Sequence, residues 1–83
     1  MEKRAAVLAI IVKDGDSVAA LNELLHQYGS YIICRMGVPY RERNMSIISV
    51  ALDAPANIIS ALSGKVGRLK GVTSMTVYAP ESL

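Results

Sequence analysis

The sequence predicts an α+β sandwich in which a four-stranded antiparallel sheet carries two helices on one face. Three observations predict it. The elements read in the order β-α-β-β-α-β, which a single sheet with two crossover helices satisfies in the ferredoxin-like arrangement. The first and third strands are the most apolar segments, as the two central strands of that sheet should be. With 83 residues there is room for one core and no second lobe, so residues 1–83 read as a single domain.

The first strand, Arg4 to Lys13, is apolar on both alternating faces: Ala6, Leu8, Ile10, Val12 on one and Ala5, Val7, Ala9, Ile11 on the other. Asp14-Gly15-Asp16-Ser17 supplies a turn and an N-cap for a helix from about Ser17 to Tyr28, with Val18, Leu21, Leu25 and Tyr28 on its inward stripe. Gly29 is expected to close that helix in the left-handed conformation. Ser30 to Val38 reads as the second strand, ended by Pro39, which has no N–H to give to a ladder. Tyr40 to Asn44 makes the reversal, and Met45 to Leu52 is the third strand. Asp53-Ala54-Pro55 reads as the start of the second helix, which should turn Ile58, Ala61, Leu62 and Val66 inward. Lys70-Gly71 leads into a last strand, Val72 to Tyr78.

Composition narrows the function classes. The net charge of +2 is small and dispersed, which argues against a nucleic-acid-binding surface. No apolar run has the length of a membrane span, and the opening Met1-Glu2-Lys3-Arg4 does not suit a signal peptide, so a cytoplasmic location is expected. A single cysteine excludes an internal disulfide, and Cys34 reads as a small buried hydrophobe. With one histidine and one cysteine, the chain specifies neither a closed metal site nor a nucleophile–base–orienter set, so no metal, cofactor or catalytic residue is expected. Two helices cover one face of a sheet whose first strand is apolar on both. A homo-oligomer, dimer or tetramer, is therefore the expected assembly.

The segment Cys34 to Asn44 is where a site is expected. Arg35, Arg41 and Arg43 with Tyr40 could hold an anion or carboxylate, because guanidinium forks pair bidentately with such groups. The alternative is a solvated hairpin whose charges, with Glu42, discourage edge pairing. Gly64-Lys65-Val66-Gly67-Arg68 lacks the spacing of a phosphate loop and reads as a glycine-weakened helix end.

Arg35-Met36-Gly37-Val38-Pro39-Tyr40-Arg41-Glu42-Arg43, then Ser46-Ile47-Ile48-Ser49, then Leu62 through Val72, resemble the small regulators of the iron-only hydrogenase system. The resemblance spans nearly the whole chain and implies a fold similar to ACT domains and to the C-terminal sensing domain of the nickel-responsive regulator. It also implies side-by-side assembly with small effectors at subunit interfaces, beside a glycine in the first strand–helix turn, the place of Gly15. In register with the nickel-sensing relatives, the four ligand positions fall on His26, Gly37, Pro39 and Met45, and only His26 keeps a ligand type. Nickel sensing is therefore not expected. The first core strand begins near Arg4, so a ribbon-helix-helix segment of the kind those regulators use on DNA is not expected.

The expected protein is thus a non-enzymatic regulatory or sensing module. A small anionic effector would bind at Arg35, Gly37, Tyr40, Arg41, Arg43 and Gly15, and a protein partner is a further expectation. The alternatives are an assembly scaffold without ligand and an acylphosphatase-type enzyme. For the latter, Asn44 and Arg35 are poor substitutes, because the glycine-rich turn that cradles phosphate is missing after the first strand.

Overall fold

The computed structural model describes residues 2–80. Strands β1 (Lys3–Val12), β2 (Ile32–Tyr40), β3 (Met45–Pro55) and β4 (Val72–Tyr78) form one antiparallel sheet in the order β2-β3-β1-β4. Helices α1 (Val18–Gln27) and α2 (Ala56–Gly67) pack on one face. This is the ferredoxin-like sandwich that the element order predicts, with the two most apolar strands at its centre.

The core lies between that face and the helices. Leu8, Ile10, Val50 and Leu52 from β1 and β3 are buried against Leu21 and Leu25 of α1 and Ile59, Leu62 and Val66 of α2. Each such side chain contributes about 1.5–3 kcal/mol on leaving water. The register places Leu8 opposite Val50 and Ile10 opposite Ile48, so the inward residues of the central strands form one sheet of aliphatic carbon.

Several local expectations are corrected. Pro39 does not end β2, which runs on to Tyr40 with Pro39 opposite Ser46. β2 is an edge strand, where a missing N–H can be tolerated. Asp53 does not start a helix: it pairs with Ala5, and α2 begins at Ala56 after an extended Pro55 that makes no side-chain cap. Ala61 is exposed and Ile59 takes the inward place. Val18, expected on the buried stripe of α1, is 38% exposed. Gly29 does not adopt a left-handed conformation; the described residues with positive φ are Asn44 (φ 50°) and Gly71 (φ 70°). Cys34, expected inside, is exposed.

Cys34 faces outward because of an irregularity in β2. Ile32 pairs with Leu52 and Cys34 with the next residue, Ala51, so Ile33 is an extra residue in the ladder. Paired residues share a face. Ile32 therefore points to the core, Cys34, Met36, Val38 and Tyr40 to the open side, and Arg35, Gly37 and Pro39 to the helix side.

The open side of the sheet carries Met36 and Met75, each 69% exposed, with Val7, Ile33, Val38, Ile47 and Val77 also exposed. Small residues, among them Ala9, Ser49 and Ala51, lie between them on the central strands.

Candidate functional site

The sheet order sets the β1–α1 turn beside the β2–β3 hairpin. β1 and β3 are antiparallel neighbours, and Val12 at the end of β1 lies opposite Ser46 at the start of β3. The turn that leaves β1 is held by four hydrogen bonds. Asp14 accepts a hydrogen bond from the Asp16 N–H at 2.9 Å, and Ser17 N–H donates to the Asp14 carbonyl at 3.0 Å. The buried Ser17 Oγ donates to the Lys70 carbonyl at 2.6 Å, while Lys13 N–H donates to the Gly71 carbonyl at 2.7 Å. These last two bonds fix the turn against the loop that enters β4. An ion pair of 3.8 Å between Lys70 Nζ and Asp14 Oδ2 adds little, because Lys70 is exposed.

Across from this turn, Arg41–Arg43 form a single 3-10 turn that ends on the left-handed Asn44, a residue type that tolerates that conformation. Two adjoining cavities lie in the cleft between turn and hairpin. The smaller, about 170 Å³, is lined by Lys13, Gly15, Val18, Pro39, Arg41 and Ser46, among others. The larger, about 320 Å³, is lined by Val18, Arg35, Gly37, Pro39, Ser46 and Ile48, among others. Val18, Pro39 and Ser46 belong to both, so the two are stretches of one groove between α1 and the hairpin.

Of the residues that the sequence nominates, Gly15 and Arg41 thus meet at one end of a groove, Arg35 stands at the other, and Gly37 lines the stretch between. Arg35 reaches across to α1, where its Nη2 donates to Asn22 Oδ1 at 2.7 Å. Gly37 leaves the groove open: a Cβ built there would come 3.3 Å from Ile48 Cγ1. At Gly15 a Cβ would meet nothing within 4 Å, so the cleft, not the backbone, is what a larger residue would enter. Tyr40 and Arg43 lie outside the groove. Tyr40 is turned toward the open side, its hydroxyl donating to Glu42 Oε2 at 3.3 Å, and Arg43 lines neither cavity. Sequence reasoning missed Lys13, Val18 and Ser46. Ser46 follows from its register with Pro39; Val18 carried only a helical-stripe signal, which pointed inward.

Lys65, from the glycine-flanked segment at the end of α2, donates to the Tyr28 hydroxyl at 2.9 Å and braces the two helices. His26 is exposed on α1, and among the described residues no group of three His, Cys, Asp or Glu stands together to hold a metal ion. No helix among the described residues is long and apolar enough to cross a membrane.

Fold and groove define a class of small ferredoxin-like modules with a cation-edged cleft beside the first helix and one sheet face uncovered. Within it, the chain belongs to the TM1266-like family, "Iron-only hydrogenase system regulator, putative", which matches residues 4–76. It is similar to the solved structure of the uncharacterized protein TM1266 from Thermotoga maritima. The two are 41% identical over 95% of this chain and 100% of that one, with a TM-score of 0.91. No curated protein matches.

Proposed function

We propose that this chain is a non-enzymatic regulatory module of the iron-only hydrogenase system, which assembles with copies of itself and responds to a small anionic effector held in the α1–hairpin groove. The observation that carries this reading is the convergence of Lys13 and Arg41 on one end of the groove, next to Gly15. Neither side chain has a hydrogen-bond or ion-pair partner among the described residues. Two cations that share a recess repel until an anion enters it, so a carboxylate or phosphoryl group gains charge-assisted hydrogen bonds there.

Assembly is supported by the open face, whose apolar side chains another copy would remove from water. That face alone also favours a second reading, a scaffold that only associates. Native mass spectrometry of protein purified without added ligand separates the two, run in parallel on Arg41→Ala and Arg43→Ala. The effector reading expects a retained small anion on the parent and on Arg43→Ala, lost from Arg41→Ala with the oligomer intact. Oligomers that carry no ligand in any of the three leave the scaffold reading.

A further inference from the structure

We infer that the groove takes a rod-shaped ligand with an anionic group at each end and an apolar middle, with the chemistry of a linear α,ω-dicarboxylate. This rests on the groove being the effector site. At one end stand Lys13 and Arg41. Of the carboxylates around that end, Asp14 is engaged by the Asp16 N–H and Lys70, Glu42 in the hairpin accepts from Tyr40, and Asp16, though it follows Gly15, lines neither stretch of the groove. At the other end stands Arg35. Its partner Asn22 is a neutral acceptor, which fixes the guanidinium in place without cancelling its charge and leaves the remaining N–H groups for a ligand.

Between the two ends Val18, Pro39 and Ile48 supply apolar surface, with Ser46 among them, and the stretch is open because position 37 has no side chain. Residues 35 and 39 are separated by about 13 Å along the strand, at about 3.3 Å per residue. With Arg35 turned to Asn22 of α1, that length favours an extended ligand over a compact one for touching both ends. A long monoanion would lay its apolar tail beside the exposed Arg35 guanidinium and offer it no acceptor, so it gains nothing at that end. A second carboxylate at that end turns the same contact into a charge-assisted pair. The hydroxyl of Ser46, shared by both stretches, can serve a polar substituent in mid-chain.

The test is a titration of the isotope-labelled full chain, following the amide signals of Gly15, Gly37 and Ser46. Succinate, adipate, suberate and sebacate are compared with butyrate, hexanoate, octanoate and decanoate, and acetate serves as the head-group probe. The inference expects one of the longer diacids to bind about tenfold more tightly than the monoacid of equal length, the worth of one charged hydrogen bond. Arg35→Gln should erase that preference and Arg41→Gln should weaken both series. Gly37→Val, which fills the middle, should abolish the diacid preference and spare acetate. Equal affinity for diacids and monoacids would overturn the two-ended ligand and leave the groove as an anion site. If no probe moves the three amides, the inference falls and with it any carboxylate effector in this groove.

Discussion

A methyl group added at Gly71 would stand 2.6 Å from Asp14 Cβ and 3.0 Å from Asp14 N, in a residue with φ of +70°. The left-handed conformation alone costs a side-chain-bearing residue about 1–2 kcal/mol, and here backbone must also move. Gly71→Ala is expected to lower the unfolding free energy by more than about 2 kcal/mol in urea denaturation, whereas Gly15→Ala, with open space around it, should stay within about 0.5 kcal/mol. Equal effects would mean that the β1–α1 turn and the loop into β4 are not pressed together as described. Reading the sequence, Gly71 is only a turn residue and Gly15 the one of interest. The contact that makes Gly71 exacting is with a residue far away in the chain, and no local pattern announces such a neighbour. Cys34 was opaque for a related reason: its apolar flanks Ile32 and Ile33 suggest burial, but the face it takes is decided by pairing with Ala51.

At the scale of elements, the sequence carried the order, the two central strands and the bounds of β4, because long apolar runs and glycine or aspartate turns are strong local signals. It misplaced the junction of β3 and α2. Asp53-Ala54-Pro55 has the composition of a helix start, yet pairing with β1 extends the strand through Pro55 and outweighs it. The inward stripe of α2 shifted accordingly. Ile59→Ala should cost about 2–4 kcal/mol through the cavity it leaves, while Ala61→Ser should stay within about 0.5 kcal/mol. Thermal unfolding of the two variants checks this, and the opposite ranking would restore the stripe read from periodicity. Half of the groove was legible in the arginine-rich hairpin and Gly15. Their convergence was not, because it depends on the β1–α1 turn lying beside the hairpin, a product of sheet order and not of spacing.

At the scale of the molecule, the uncovered face of four strands, about 4.8 Å apart and some seven residues long, spans on the order of 450 Å². Two such faces together bury on the order of 900 Å², below the roughly 1,200 Å² at which stable specific interfaces begin. Pairing through this face alone therefore predicts a dimer that dissociates on dilution, unless further surfaces join. Introducing charge at the two most protruding positions, Met36→Glu with Met75→Glu, should give a folded monomer in sedimentation at micromolar concentration, while the parent sediments as a dimer or larger. A parent that is itself a folded monomer would remove the face from the assembly.

The extra residue in β2 makes chain length negotiable at one point and nowhere else nearby. With Ile33 deleted, Ile32 and its new neighbour Cys34 would still oppose Leu52 and Ala51, and every later residue of the strand would keep its partner. A deletion between Cys34 and Pro39 would instead exchange the two sides of the strand, carrying Arg35 or Gly37 away from α1 and turning methionine and valine toward it. Chains one residue shorter at position 33 are thus expected to fold with the same amide pattern around Ser46, and those shortened at Val38 to lose it. The site could in this way survive a change of length that an alignment by hydrophobic alternation would score as a reversal of faces.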